Sequence, residues 1–185
     1  MSQARLQQLF ISKVVPALLK EFGYKSSMAV PRLTKVTVNV GLGKALTEPK
    51  LTEVATQTLS RITGQKPVPR PARKSISNFK IRQGMVIGLQ VTLRGRRMYE
   101  FMDKLINVTL ARVRDFRGVS SQALDGHGNI TIGFKEHLVF PEIKSDEVES
   151  IHGLEVAITT SAKTNAEGKR LLELLGLPFA KEESK

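Results

Sequence analysis

The amino-acid sequence predicts an α+β fold, namely a largely antiparallel sheet with helices packed on one face. Two observations favour this fold class. Segments with the apolar spacing of helices and segments with the alternation of strands follow one another without an internal repeat or a long linker. Hydrophobic residues make up 41% of the 185 residues, which is enough for a core, so we expect one domain over residues 1–185.

The first predicted element is an amphipathic helix over residues 3–22. Its apolar side chains recur at helical spacing: Leu6, Leu9, Phe10, Val14, Leu18 and Phe22. Pro16 lies inside this helix, so the helix either kinks there or begins again after Val15. Gly23 is expected to end it.

A strand and a helix follow. In residues 33–41, three valines alternate with three polar residues, the pattern of a strand with one polar face: Val36, Val38 and Val40 against Lys35, Thr37 and Asn39. Residues 49–63 return to helical spacing. Pro49 suits the first turn of that helix and Gly64 its C-terminal cap.

Prolines open the next part of the chain. Pro67, Pro69 and Pro71 alternate with other residues, so this stretch should be extended and can donate few hydrogen bonds to a sheet. Residues 85–94 then predict a second strand with one apolar face, formed by Met85, Ile87, Leu89, Val91 and Leu93. The opposite face of that strand carries Val86, Gly88, Gln90, Thr92 and Arg94.

The remaining elements are shorter. Residues 97–110 have helical spacing, and Met98 and Met102 are expected in the core rather than as cofactor ligands. The sequence Asp-Gly-His-Gly-Asn at 125–129 predicts a turn before two short strands at 130–134 and 138–140. A strand at 154–160 and a helix at 165–175 complete the fold.

Basic residues are concentrated in one segment. The chain carries 29 Lys and Arg against 17 Asp and Glu, a net charge of +12. Residues 54–99 contain no acidic residue and ten basic ones: Arg61, Lys66, Arg70, Arg73, Lys74, Lys80, Arg82, Arg94, Arg96 and Arg97. A polyanion is the natural partner of such a segment. A solvated face that only aids solubility is the alternative, but mixed charges would serve that purpose equally well.

Several classes of protein are disfavoured by the sequence. No apolar run is long enough to span a bilayer, and the chain is expected in the cytosol, with no membrane partner. Without cysteine there is neither a thiolate metal site nor a cysteine nucleophile. The two glycines at 41 and 43 lack the third glycine of a dinucleotide-binding motif, and the three histidines have no metal-binding spacing. Asp146, Glu147 and Glu149 resemble a solvated turn, so we expect no enzyme, no metal and no cofactor.

The polar faces of the two predicted strands form the first candidate site. They display Lys35, Thr37 and Asn39 on one strand and Gln90, Thr92 and Arg94 on the other, without an acidic residue. Such a face can meet RNA phosphates, 2′-hydroxyls and minor-groove edges. An ordinary wet sheet face is the alternative, and the neighbouring basic segment weighs against it. Because this face has no aromatic side chain, recognition of folded RNA is favoured over reading of an open strand.

A second candidate site is a basic protruding loop at about 66–84. Its polar side chains are Arg73, Lys74, Ser75, Asn78, Lys80, Arg82 and Gln83. Lys and Arg would position phosphates, while the amides add short hydrogen bonds. Phe79 either stacks on a base or pins the loop to the core. Residues 112–118, with three arginines, are either another contact or a structural turn neutralised by Asp115.

The chain resembles a known family, the bacterial-type large-subunit ribosomal protein L5, which binds 5S rRNA. The resemblance spans nearly the whole length and rests on eight stretches: VPRL at 30–33, TVNVGLG at 37–43, GQKP at 64–67, ARKSISNFKIRQGM at 72–85, VTLRG at 91–95, RDFRG at 114–118, FPEI at 140–143 and LPF at 177–179. It implies an α+β ribosomal-protein domain in the central protuberance, with an RNA-facing polar sheet face.

The resemblance also implies partners for the two candidate sites. Asn39, Gln65 and Thr92 would contact 5S rRNA, with Lys35 and Arg94 as neighbours. The loop around 74–83 would approach the P-site tRNA. Another edge of the domain would meet a small-subunit head protein and form an intersubunit bridge. The protein would then be a structural component of the large subunit that contacts large-subunit rRNA, and it would need no cofactor.

Two other functions stay open at this point. An RNA-modifying enzyme would use the basic face to hold its substrate, and it would require a pocket with convergent acid and base groups. A general nucleic-acid chaperone would bind diverse RNAs with similar affinity. Selectivity for 5S rRNA separates the leading hypothesis from the chaperone.

Overall fold

The computed structural model describes residues 3–43, 50–144 and 150–180. Four residues named in the sequence analysis, Pro49, Asp146, Glu147 and Glu149, lie outside these ranges. Within the described part of the chain, no helix is both long and apolar enough to cross a bilayer.

Five strands form an antiparallel sheet with helices, which confirms the predicted α+β class. The strands are β1 (Leu33–Gly41), β2 (Val68–Pro71), β3 (Val86–Leu93), β4 (Ile130–Phe134) and β5 (Leu154–Thr160), in the spatial order β2-β3-β1-β5-β4. The α-helices are α1 (Arg5–Leu9), α2 (Val15–Phe22), α3 (Lys50–Thr63), α4 (Gly95–Lys104), α5 (Leu110–Arg112) and α6 (Asn165–Leu174). Single π-helical turns, Phe10–Val14 and Leu105–Thr109, join α1 to α2 and α4 to α5.

The sheet has one buried face, as the alternation of apolar residues predicts. Val36, Val38 and Val40 of β1 are fully buried, whereas Lys35, Thr37 and Asn39 between them are partly exposed. β3 follows the same pattern at its C-terminal end, where Leu89, Val91 and Leu93 are buried and Thr92 is exposed. Since side chains alternate along a strand, one face belongs to the core and the other stays accessible.

The N-terminal helical segment continues through Pro16. A π-helical turn, Phe10–Val14, precedes α2, and Leu9, Val14 and Val15 keep right-handed helical angles, so the hydrogen-bond pattern changes ahead of Pro16 without a break in the helix. Gly23 adopts a left-handed conformation with φ of 66° and ends the helix, as predicted. The alternative of a restart after Val15 is therefore wrong.

Other predictions for helices and loops are confirmed. α3 ends at Gly64, which has φ of 65°. Met98 and Met102 are buried in the core, as expected, at 2% and 0% exposure. In the predicted turn at 125–129, Asp125 Oδ1 accepts hydrogen bonds from the backbone nitrogens of His127 and Asn129 at 2.9 and 3.1 Å.

The prediction of a strand at 138–140 is wrong. Residues His137–Val139 form one 3₁₀ turn. Phe140 follows it, is fully buried and packs edge-to-face on Phe134 with ring centroids 5.6 Å apart. A run of three apolar residues cannot distinguish a short strand from a turn that delivers its last residue to the core.

The proline-rich stretch is extended, as expected, and joins the sheet as its edge strand β2. β2 pairs antiparallel with β3, and Val68 faces Gln90 while Arg70 faces Gly88. Only an edge strand tolerates two prolines among four residues, because its outward N–H groups have no partner to lose.

The chain comprises two compact units. The first contains Met1–Val36, Leu93–Ile132 and Ala157–Lys185, and the second contains Thr37–Thr92 and Gly133–Val156. Each unit is therefore built from segments distant in sequence. The expectation of one domain over residues 1–185 stays a prediction.

Candidate RNA-binding surface

The polar sheet face of the second unit is organised around Gly88. This glycine lies on β3 opposite Arg70 of β2. A Cβ placed on it would lie 4.0 Å from Asn39 Oδ1, 4.0 Å from Arg70 Cβ and 3.1 Å from the carbonyl oxygen of Val40. Gly88 is buried, and a side chain there would press against the backbone of β1. Glycine thus lets Asn39 and Arg70 lie on either side of one point of the face, which we call the notch at Gly88.

Gln90 orients the arginine beside this notch. Arg70 Nε donates a hydrogen bond to Gln90 Oε1 at 2.5 Å. Gln90 is neutral, so it fixes the guanidinium without cancelling its charge. Arg70 forms no salt bridge with any residue that the structure describes, and it stays exposed and cationic.

Two more of the predicted 5S rRNA contacts lie in this unit. Thr92 is exposed on β3, the strand next to the one that carries Asn39. Gln65 is half-buried just after α3, where its backbone N–H donates to Thr63 Oγ1 at 3.3 Å. Asn39 and Thr92 therefore share the polar face, while Gln65 lies at the end of a helix.

The other two predicted contacts, Lys35 and Arg94, lie in the first unit. Lys35 is half-buried on β1 and Arg94 is exposed directly after β3. Neither forms a salt bridge with a residue in the described ranges, so both charges are available to an anion.

The basic loop between β2 and β3 is a compact hairpin rather than an irregular excursion. At its base, Ala72 N–H donates to Met85 O at 2.8 Å. Nearer the tip, Ile76 and Ile81 form an antiparallel bridge. A 3₁₀ turn, Ser77–Phe79, and a left-handed Lys80 with φ of 54° close the tip. The backbone of this loop is thus held by its own hydrogen bonds.

The polar side chains of this hairpin face solvent. Those predicted from the sequence are exposed without exception: Arg73, Lys74, Ser75, Asn78, Lys80, Arg82 and Gln83. Among the described residues, none of the four cations has an acidic partner. Phe79 is 67% exposed and Ile76 is 45% exposed. The interpretation in which Phe79 pins the loop to the core is therefore wrong.

The three arginines at 112–118 are not neutralised by Asp115, contrary to one interpretation of the sequence. Asp115 forms no salt bridge with Arg112, Arg114 or Arg117 in the described structure, and all four side chains are exposed. Asp115 instead adopts a left-handed conformation with φ of 53°. An Asp tolerates that conformation better than most residues, which explains its place in the turn.

Sequence reasoning missed a pair of buried histidines in the second unit. The rings of His137 and His152 stack with centroids 4.2 Å apart and planes inclined by 14°. His137 Nδ1 lies 3.1 Å from the carbonyl oxygen of His152, to which it donates when protonated, and 3.3 Å from the His152 backbone nitrogen, from which it accepts when it is not. The Nε2 atoms of both rings are buried without a partner. Burial lowers the pKa of both rings. Fifteen residues separate the pair, so no spacing rule could have found it.

No group of three or more His, Asp or Glu side chains that could hold a metal ion is found within the described residues. The pair is a packing feature of residues 133–156 with two neutral rings.

Comparison with known proteins agrees with the resemblance. The family model "Ribosomal protein L5" matches residues 26–82, and the model for the C-terminal part of that family matches residues 86–179. The large ribosomal subunit protein uL5 of Alkaliphilus oremlandii is 54% identical over 178 residues, covering 96% of this chain and 99% of that protein. The protein of the same name from Ralstonia pickettii is 56% identical over 176 residues, covering 95% and 98%.

A basic α+β fold with an acid-free cationic hairpin and these matches define a class, the ribosomal proteins. Within that class, the chain belongs to the ribosomal protein L5 family.

Proposed function

We propose that this protein is a structural component of the large ribosomal subunit that binds and anchors 5S rRNA in the central protuberance. It further contacts the P-site tRNA through its basic hairpin and contributes to an intersubunit bridge with a small-subunit head protein. As an RNA-binding ribosomal protein it serves translation, in the cytoplasm, and its role is structural rather than enzymatic.

One observation carries the RNA-binding part. The hairpin places four cations, Arg73, Lys74, Lys80 and Arg82, in solvent without acidic partners among the described residues. Uncompensated cations on one hairpin repel one another, and phosphates relieve that repulsion while releasing counterions. The backbone hydrogen bonds of the hairpin hold the charges in place before RNA arrives.

The notch at Gly88 supports a separate role for the sheet face. Asn39 offers one acceptor and two donors beside Arg70, which is the mixture that 2′-hydroxyls and phosphates require. We assign 5S rRNA to this face together with Gln65, Thr92, Lys35 and Arg94. Large-subunit rRNA is a further partner. The bridge is proposed from the family alone, and no residue is assigned to it.

The sheet face is tested by binding of the purified protein to 5S rRNA and to a structured RNA of equal length. Asn39→Ala removes an amide from the proposed contact and should weaken 5S rRNA binding by about 1–3 kcal/mol, or roughly 5- to 150-fold in Kd. Asn107→Ala, which removes an exposed amide in the first unit, is the control and should bind as the wild type does. Equal affinity of wild-type protein for both RNAs, unchanged by Asn39→Ala, would support a chaperone instead.

The hairpin is tested in ribosomes that contain the variant protein. Lys74→Glu combined with Lys80→Glu should weaken P-site tRNA binding and leave 5S rRNA binding intact. Lys13→Glu combined with Lys20→Glu changes the net charge equally on the N-terminal helical segment and serves as the control. Equal tRNA affinity in the two double variants would refute the tRNA contact.

A further inference from the structure

An apolar groove lies in the first unit, and none of its lining residues belongs to the two surfaces assigned above. Its walls include Ile106 and Leu110 on one side, Phe116 and Arg117 on another, and Pro178 and Phe179 from the C-terminal segment. Its volume is about 330 Å³. The groove is open to solvent, and its two phenyl rings are partly exposed.

The groove is built into the fold. Val119 N–H donates to Pro178 O at 2.8 Å, and Ala180 N–H donates to Val119 O at 3.0 Å, so the two walls are joined by backbone hydrogen bonds. Gly118, with φ of 104°, brings them together, since a Cβ there would lie 2.4 Å from the backbone nitrogen of Ala180. The walls of the groove are therefore preorganised for a ligand.

Positive charge lies at the groove and in the turn that forms one of its walls. Arg117 lines the groove, and Arg112 and Arg114 belong to the same turn. All three are exposed and form no salt bridge with a described residue. Lys169 places its Nζ 5.8 Å from the centroid of the Phe179 ring. Asp115 is the one acidic residue of the turn at 112–118. An apolar floor with aromatic walls and this positive charge fits a ligand that combines a flat apolar body with negative charge.

We propose that this groove binds an unpaired nucleotide of ribosomal RNA, with its base against Phe116 or Phe179 and its phosphate at Arg117. Single-stranded bases stack on aromatic side chains whatever their sequence, and guanidinium groups bind phosphate oxygens in pairs. An acidic peptide would satisfy the arginines equally well. The RNA is favoured because two phenyl rings flank the groove and the chain belongs to a ribosomal protein family.

The stacking part is tested with a tryptophan reporter, since the natural chain has no Trp. In Phe116→Trp the single indole lies in the groove, and a base stacked on it should quench its fluorescence. Phe22→Trp places the reporter on α2, beside Tyr24, as a control. Titration with 5S rRNA and, separately, with large-subunit rRNA identifies the source of the nucleotide. Quenching of Phe116→Trp by either RNA, with Phe22→Trp unchanged, supports the proposal.

The phosphate part is tested by charge reversal. Arg117→Glu should weaken binding of the RNA that quenches the reporter by about tenfold or more, as expected for loss of a charge-assisted hydrogen bond. Lys20→Glu changes the net charge equally on an exposed site of α2 and controls for overall electrostatics. Thermal melting of both variants checks that the fold persists.

The outcome is independent of the function proposed for the sheet face. If neither RNA quenches Phe116→Trp and Arg117→Glu binds both RNAs as Lys20→Glu does, the groove does not bind a nucleotide, even where Asn39→Ala still weakens 5S rRNA binding. If Asn39→Ala has no effect while the groove variants do, the proposal for the sheet face fails and the groove remains an RNA site.

Discussion

At Gly128 and Gly168 the first unit depends on the absence of a side chain. Gly168 lies in α6 and faces the turn at 125–129, where a Cβ on it would come within 2.3 Å of the Gly128 Cα. The same turn is tied to β5, because the Thr160 hydroxyl donates to Gly128 O at 3.0 Å. Two backbones in direct contact therefore join a helix and a turn.

Replacing Gly168 with Ala should destabilise the protein. A helical Gly→Ala change ordinarily stabilises by up to about 1 kcal/mol, but here the methyl group meets backbone that cannot rotate away. We expect a net loss of about 1–3 kcal/mol in the free energy of unfolding, as in other overpacked sites. Urea denaturation measures it. Gly133→Ala, with nothing within 4 Å of the added carbon, is the control. An unchanged midpoint for Gly168→Ala would contradict the contact.

The stacked histidines make stability depend on pH. Burial lowers the pKa of His137 and His152 below the ordinary imidazole value of 6.5, although Glu136 opposes this shift at His137. As the pH falls through 6.5, the unfolded chain takes up protons that the folded chain does not. The free energy of unfolding therefore has its full value above about pH 7 and decreases as the pH falls below that.

His137→Asn separates this effect from general acid unfolding. The Asn side chain offers both a donor and an acceptor to the His152 backbone in place of His137 Nδ1, but it does not titrate. We expect the dependence of unfolding free energy on pH between 7 and 5 to become roughly half as steep, because one of two titrating rings is lost. Denaturation across that pH range measures the slope. His127→Asn, at an exposed turn position, is the control for the loss of one histidine. Equal slopes for the wild type and His137→Asn would show that the pair does not titrate on unfolding.

At the scale of elements, α6 shows how local sequence places a helix start. Thr164 Oγ1 accepts a hydrogen bond from Glu167 N–H at 3.4 Å, and Glu167 Oε2 accepts one from Thr164 N–H at 3.3 Å. These two reciprocal hydrogen bonds satisfy two backbone N–H groups that have no acceptor within the helix. Glu167 also accepts the Tyr24 hydroxyl hydrogen bond at 2.5 Å, and these contacts lower its pKa despite burial. The cap thus connects α6 to Tyr24, two residues after the end of α2.

Thr164→Ala should remove the hydroxyl half of this cap. We expect the free energy of unfolding to fall by about 1 kcal/mol, the usual effect of losing an N-cap hydroxyl. Thr164→Ser keeps the hydroxyl and should lose less than half of that. Thermal or urea denaturation distinguishes the two variants. If Ala and Ser were equally stable, the hydroxyl would contribute nothing to the helix start.

β2 and the hairpin beyond it show where element prediction reached its limit. The prolines correctly indicated extended backbone, but they also argued against a sheet, and only the pairing with β3 shows that β2 is its edge. The loop was predicted by its charge, whereas its closure by the Ile76 and Ile81 bridge was not. Strand pairing depends on two segments at once, so it cannot be predicted from either segment alone.

At the scale of the whole molecule, charge is the property that matters most for binding. The ten cations of residues 54–99 include the four cations of the hairpin and Arg70 beside the notch at Gly88. Dissolved salt screens these charges and competes with them for the phosphates. Salt concentration should therefore control the electrostatic part of RNA binding.

The salt dependence of 5S rRNA binding should be steep. If about six of the ten cations contact phosphates, the slope of log K against log salt concentration should be near −4, by the scaling for single strands. Fluorescence anisotropy over a salt series measures it. Replacing Lys74 and Lys80 should leave this slope as it is if the hairpin contacts only tRNA. A slope near zero for the wild type would mean that the cationic segment does not meet phosphates.

Much of the candidate site could be predicted from sequence, for identifiable reasons. Asn39 and Thr92 were assigned to the polar face by alternation alone, and the structure places both there. The exposed hairpin cations followed from charge and from the absence of acids. The notch at Gly88, the exposure of Phe79 and the groove beside Phe116 could not be predicted, because each depends on residues that meet only after folding.

The sequence by itself determined the fold class, most helix and strand positions, the polar face and the cationic hairpin. All of these follow from local periodicity, turn residues and charge counts, which are properties of neighbouring residues. Tertiary structure alone decided the edge position of β2, the stacking of His137 on His152 and the groove between the 112–118 turn and the C-terminal segment. These features join residues 15 to 70 positions apart, and only the packing of the folded chain brings such residues together.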